Sequence, residues 1–212
     1  MARFLPAPLY AIVDVMSGEA AEPLALGEKL AAAGVPWLQL RVKSTPSREH
    51  VAIAERLIGL ARPHGTRVIV NDRLDVALAS GAAGVHLGQD DLPLTAARFV
   101  ANHPEFVIGI STHDVGQARA AEAGGADYIG FGPMFPTSSK ANALPPRANG
   151  ALGAVRAAVG LPIVAIGGIT EATASGVLSA GANAVAMIGA LASAPDPVGL
   201  ATSLLQLNGY RS

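Results

Sequence analysis

Ala33-Gly34 stands just before Trp37-Leu38-Gln39-Leu40, and Ser80-Gly81 just before Val85-His86-Leu87. The phrase returns as Gly124-Gly125 before Tyr128-Ile129-Gly130-Phe131 and as Ala180-Gly181 before Ala184-Val185-Ala186-Met187. A small residue and a glycine close a helical segment, and a short apolar strand follows. Glycine suits that place because the residue just past a helix end commonly turns left-handed. From Gly34 to Gly81 is 47 residues, to Gly125 a further 44 and to Gly181 a further 56. Each interval is about two βα units long, since a βαβ crossover takes about 30 residues and shares its strands.

Four more apolar stretches lie between these, at residues 9–13, 67–70, 107–110 and 163–166. Ala-rich amphipathic segments, such as 48–61 and 115–123, separate all eight. Eight short strands alternating with eight helices make an α/β chain with a parallel sheet. An open doubly wound sheet often carries an early Gly-x-Gly-x-x-Gly loop, and none is present here. The expectation is a closed (β/α)8 TIM barrel formed as a single domain over residues 1–212, short for that fold. The longest interval holds a Pro-rich loop, residues 133–149. Loops of that length in compact domains are usually functional or disordered.

Half the residues are apolar and 15% are charged, with a net charge of −1. That supplies a large core and leaves no basic block for a nucleic-acid backbone. No nucleic-acid partner is expected. The chain has no cysteine, which excludes disulfides and thiolate metal sites. The N-terminal stretch lacks the apolar region and cleavage site of a signal peptide, and no apolar run is long enough to span a bilayer. A cytoplasmic protein without a membrane partner is expected. The sequence leaves a homodimer open.

Barrel chemistry belongs at the C-terminal ends of the strands. There the second strand carries Gln39, Arg41 and Lys43 at spacing two, so alternation places all three on one face and Leu38, Leu40 and Val42 on the other. Inward cations are expensive unless something anionic meets them. The third strand ends in Asn71-Asp72 and the fourth in Gly88-Gln89-Asp90-Asp91. Neighbouring strands are about 5 Å apart, so Asp72 and a later aspartate can share a Mg²⁺, which takes one or two carboxylates plus water and substrate phosphate. The bland alternative is that these aspartates cap the next helices.

The fifth strand ends in Ser111-Thr112-His113, and the long loop offers Thr137-Ser138-Ser139-Lys140. Gly167-Gly168 and Ile188-Gly189 close the seventh and eighth strands, where backbone amides commonly hold a phosphate. His113 is the histidine nearest this mouth, either an acid-base group or a residue that orients a loop. His86, His50, His64 and His103 read as structural.

Six segments in order carry a resemblance over most of the chain. They are Gln39-Leu40-Arg41-Val42-Lys43, Val70-Asn71-Asp72, His86-Leu87-Gly88-Gln89-Asp90-Asp91, Ile110-Ser111-Thr112-His113, the run from Gly130 through Phe131-Gly132-Pro133 to Lys140, and Ile166-Gly167-Gly168-Ile169-Thr170. Together they resemble the thiamine phosphate synthase family. That resemblance implies a transferase joining two small-molecule substrates, an aminopyrimidine methyl pyrophosphate and a thiazole phosphate, with release of pyrophosphate. It implies Mg²⁺ held by Asp72 and Asp91. It implies neutralising roles for Arg41, Lys43 and Lys140, and contacts from Gln39, Asn71 and Ser111 to the pyrimidine end or its leaving group. Thr137 and Ser139 would contact the thiazole phosphate or the thiazole, with Gly168, Ile188 and Gly189 around the phosphate.

The sequence departs from the family pattern at Val42, a position often acidic, and at Gly189, where serine is common. Three rivals remain. The thiazole tautomerase branch characteristically has a histidine where this chain has Pro133. A noncatalytic phosphate-ligand barrel would not need the aspartates and Lys140. A sugar-phosphate isomerase would need an inward acid-base pair.

Overall fold

The computed structural model describes residues 4, 7–16, 20–43, 45–137, 145–147 and 149–207. Eight parallel strands close into one barrel in chain order. They are β1 (Leu9–Met16), β2 (Trp37–Lys43), β3 (Arg67–Asn71), β4 (Gly84–Leu87), β5 (Val107–Thr112), β6 (Tyr128–Phe131), β7 (Ile163–Ile166) and β8 (Ala184–Met187). Between and after them run α1 (Ala21–Ala32), α2 (Ser47–Ala61), α3 (Leu74–Ser80), α4 (Leu94–Val100), α5 (Val115–Ala123), α6 (Asn149–Ala158), α7 (Glu171–Ser179), α8 (Gly189–Ala192) and α9 (Pro197–Leu205). The four repeated glycines, 34, 81, 125 and 181, all have positive φ, so the repeat does mark helix ends.

The period-two pattern of each strand sorts its side chains between two cores. Leu38 and Leu40, for example, join the large apolar layer between barrel and helices, while Trp37 belongs to the separate cluster inside the barrel. That interior is packed with side chains. Phe4 plugs the N-terminal end, stacked on Tyr128 with ring centroids 4.3 Å apart and lying 4.7 Å from Trp37. Ile69, Val107 and Val164 fill the level around them. Tyr128 fits because β5 has Gly109 beside it: a Cβ at Gly109 would run into the Tyr128 ring. Tight packing of this kind leaves only the C-terminal ends of the strands open to a ligand.

Two strands extend beyond the expected apolar cores. β1 runs to Met16, which adds Asp14 to the inner face, and β2 runs to Lys43. In register, Asp14 lies opposite Arg41 and Met16 opposite Lys43.

Candidate active site

Asp14 and Arg41 form the best-defined ion pair of the mouth. Nη1 of Arg41 donates to both carboxylate oxygens of Asp14, at 2.7 and 2.8 Å. Arg41 is 5% exposed, so without this partner its charge would be strongly disfavoured. The sequence reading does not single out Asp14, because the carboxylate interrupts the apolar run of β1 between Val13 and Val15 and reads as the end of the strand. Gln39, one inward step below Arg41, is buried, and Lys43, one step above, is exposed at the rim. The inner face of β2 is therefore graded from amide through paired cation to solvated cation.

Asn71 ends β3 half-buried, and Asp72 follows it exposed with φ +64. Left-handed backbone is uncommon for a residue other than glycine, although Asp and Asn tolerate it best. At the end of β4, Asp91 turns back and accepts the Gly88 amide at 2.6 Å. The helix-capping alternative is not what forms: Arg73 and Pro93 are the N-caps of α3 and α4, and neither helix has a side-chain cap. Asp72 also heads a groove of about 700 Å³ between α3 and α4, lined otherwise by Leu74, Asp75, Leu78, Ala79, Leu92 and Val100. That lining is mainly aliphatic and is unsuited to phosphates, whereas the mouth gathers the polar groups.

Ser111 is half-buried at the end of β5. Its hydroxyl lies 2.9 Å from Nε2 of His86, and Nδ1 of His86 lies 2.9 Å from the Tyr128 hydroxyl. Tyr128 is 2.8 Å from the Tyr10 hydroxyl, which accepts from the Gln39 amide at 3.2 Å. Five side chains on five strands thus form one polar chain through the interior, from the aromatic floor to the mouth. Burial pushes both phenols well above the ordinary tyrosine value, so they stay protonated at neutral pH. His86, read from the sequence as structural, points inward and contacts a candidate site residue. Its place in strand four two residues before Gly88, on the inward parity, is the signal that finds it.

His113 orients a loop. Its Nδ1 is 2.8 Å from the Gly132 carbonyl, its backbone amide donates to Gln117, and Asp114 caps α5. The loop that begins at Gly132 leans on β7: the Met134 amide donates to the Ile166 carbonyl and the Phe135 amide to that of Gly167, both at 2.9 Å. Gly168 has φ +63, and a Cβ there would come within 2.8 Å of the Phe135 Cβ and would meet the Pro136 carbonyl. These contacts carry Thr137 toward the seventh strand end. Ile188 packs against the interior cluster, and Gly189 opens α8 in an exposed position. Ser139 and Lys140 lie outside the described residues.

The thiamine monophosphate synthase family model matches residues 9–191. The chain belongs to that family. A thiamine-phosphate synthase of Methanospirillum hungatei is 46% identical over 188 residues, covering 89% of this chain and 91% of that protein. One of Moorella thermoacetica is 42% identical, with 94% of each chain covered. The solved thiamine phosphate pyrophosphorylase of Pyrococcus furiosus superposes with a TM-score of 0.83 at 33% identity over 95% of each chain. A 3-hexulose-6-phosphate synthase structure, 23% identical with a TM-score of 0.70, shares the barrel fold.

Within this thiamine monophosphate synthase family, the departure at Val42 carries little weight. Val42 packs against the outer apolar layer, away from the mouth. At Gly189 nothing lies within 4 Å of where a Cβ would stand, so the position has room for the serine that is common there.

Proposed function

We propose that this barrel is a thiamine phosphate synthase, joining an aminopyrimidine methyl pyrophosphate to a thiazole phosphate with release of pyrophosphate. Family membership over nearly the whole barrel is the observation that carries this reading. The polar ring of Gln39, Arg41, Asn71, Asp72, Asp91 and Ser111 supports it, because two phosphorylated rings need such groups at one mouth.

The reaction breaks the bond between the pyrimidine methylene carbon and the pyrophosphate oxygen. The oxygen keeps the electron pair, and the ring's amino group stabilises the carbon cation left behind. The thiazole nitrogen then gives its lone pair to that carbon. No protein nucleophile takes part, which suits a chain without cysteine. The protein's work is to hold two rings in line and to offset the charge of the leaving group. Arg41, oriented by Asp14, together with Lys43 and Lys140 offsets that charge, and Gln39, Asn71 and Ser111 address the pyrimidine end. Thr137 and Ser139 take the thiazole phosphate, with Gly168, Ile188 and Gly189 around it.

Asp72 and Asp91 fit a Mg²⁺ ion. Both are hard oxygen donors from adjacent strand ends, and the Gly88 amide fixes one of them. Among the described residues no group of three acidic or histidine side chains could hold an ion by itself, so an ion here would need water and substrate phosphate to fill its other positions. When bound, the ion would supply further positive charge against the pyrophosphate.

The test mixes purified protein, both heterocycles and Mg²⁺ and measures thiamine phosphate and pyrophosphate together. Equal amounts of the two are expected, falling to background in EDTA. Asp72→Asn keeps the backbone preference and removes the charge, so it should cut kcat by about 100-fold. Absence of thiamine phosphate from the wild-type mixture would overturn the function, and full activity in EDTA would overturn the metal site. No helix among the described residues is long and apolar enough to cross a membrane.

A further inference from the structure

We propose that His86 is a positioning residue: Tyr128 holds it as the Nε2–H tautomer, and it turns the Ser111 hydroxyl hydrogen toward an acceptor on the pyrimidine ring. This rests on the reading of the mouth as a pyrimidine site, but its first half concerns the protein alone.

The direction of the chain follows from its lower end. The Gln39 amide is placed with its nitrogen toward Tyr10, and in that orientation, which sets the direction of the whole chain, it can only donate to the Tyr10 oxygen, at 3.2 Å. The Tyr10 hydrogen then goes to the Tyr128 oxygen, 2.8 Å away. Tyr128 has a single hydrogen, and with Tyr10 donating to it that hydrogen goes to Nδ1 of His86 at 2.9 Å. A neutral imidazole that accepts at Nδ1 carries its proton on Nε2. Nε2 therefore donates to Ser111 Oγ at 2.9 Å, and Ser111 is left to donate elsewhere. Running the chain the other way would leave the Tyr10 hydrogen facing the Gln39 donor in a fully buried place. The loss of one buried partner biases the tautomer by about tenfold or more.

Packing keeps the ring from escaping this arrangement. Gly130 lies against it: a Cβ there would stand 3.0 Å from Cε1 and 3.3 Å from Nε2 of His86. The neighbouring aromatic face is Tyr128, with ring centroids 5.4 Å apart. The strand end is pinned as well, since the Gln89 side chain donates to the Ser111 carbonyl at 2.6 Å. Both the backbone and the hydroxyl of Ser111 are thus held from β4 and the loop after it. A hydroxyl so held presents a donor, and the ring nitrogens of an aminopyrimidine are acceptors of matching chemistry.

The test has two arms on the full chain. Histidine ¹⁵N NMR without substrate, with His86 identified by its loss in His86→Gln, should show an unprotonated Nδ1 and a protonated Nε2. Tyr128→Phe, which keeps the ring and removes the hydroxyl, should turn this into a mixture of tautomers. In the kinetic arm, His86→Leu should raise the KM for the pyrimidine substrate about tenfold or more. The KM for thiazole phosphate and inhibition by inorganic pyrophosphate should stay unchanged, and His86→Gln, which keeps an N–H near Nε2, should recover most of the loss. A proton on Nδ1 in the wild type would overturn the proposal, as would an unchanged KM in His86→Leu. Altered pyrophosphate inhibition would overturn the ring acceptor by placing the hydroxyl on the leaving group. A wild type that makes no thiamine phosphate but shows the Nε2–H tautomer would instead refute the function and leave the chain's direction standing.

Discussion

Asp14 and Arg41 stand opposite each other on neighbouring strands, with one guanidinium nitrogen 2.7 and 2.8 Å from the two carboxylate oxygens. The pair is a compromise. Asp14 makes a buried cation tolerable and fixes its direction, but it also cancels part of the charge that Arg41 brings to the mouth. Removing one partner of a fully buried pair costs about 3–5 kcal/mol. The Asp14 side chain is 19% exposed, so water recovers part of that. Asp14→Asn should therefore cost about 2 kcal/mol, or roughly 4–8 °C in Tm for a chain of this size. A thermal scan showing no change would mean that solvent already screens the pair.

Gly109→Ala and Gly153→Ala should move stability in opposite directions. A methyl at 109 would collide with the Tyr128 ring, which Phe4 packs from the other side. Overpacking a filled core costs about 1–3 kcal/mol or more. Gly153 sits in the middle of α6, exposed, with nothing within 4 Å of a Cβ. Alanine there should add about 0.5–1 kcal/mol by helix propensity. Denaturant midpoints for the two variants check both signs at once.

The barrel was legible because its signals are local and repeat. Four helices, α1, α3, α5 and α7, run into a glycine of positive φ, and most strands are short apolar runs, so strand positions could be read within a few residues. The mouth was legible where a polar residue falls on a strand's inward parity, as at Gln39, Arg41 and Asn71. Asp14 escaped because a carboxylate that breaks an apolar run resembles the start of a loop, although Val15 beyond it is buried in the same strand. The contacts of His86 were not legible because they join it to Tyr128 and Ser111, residues 42 and 25 positions away. Contacts of that span arise only when the barrel closes. Val42 shows the same logic succeeding, since parity alone puts it outside.

Alkaline solution should destabilise the fold through the buried phenols. Burial raises the Tyr10 and Tyr128 pKa values above that of an unfolded tyrosine, which is about 10. Above that pH the unfolded chain has lost these protons and the folded chain keeps them, so the folded state binds more protons. Stability from these groups is therefore complete below about pH 10 and falls as pH rises, by up to about 1.4 kcal/mol per unit for each tyrosine. Tm measured from pH 8 to 11 should drop at the alkaline end. The double variant Tyr10→Phe with Tyr128→Phe should flatten that drop. An equally steep fall in the double variant would assign the alkaline transition to other groups.

Gly189 offers a gain of function at a position the fold leaves open. It begins α8 directly after β8, is exposed and has no atom within 4 Å of a prospective Cβ. Its φ is not among the chain's positive glycine values, so an L-residue adopts this backbone without strain. A serine there would bring a hydroxyl to the strand end assigned to the thiazole phosphate. A hydrogen bond to a charged acceptor contributes about 1.5–3 kcal/mol when buried and less at an exposed site. Gly189→Ser should lower the KM for thiazole phosphate by about fivefold, which corresponds to about 1 kcal/mol. The KM for the pyrimidine substrate should stay the same, because the added hydroxyl stands at the strand end assigned to the thiazole phosphate. Steady-state kinetics with each substrate varied in turn reads both values. A lower KM for the pyrimidine substrate instead would mean that the two phosphate positions have been exchanged across the mouth.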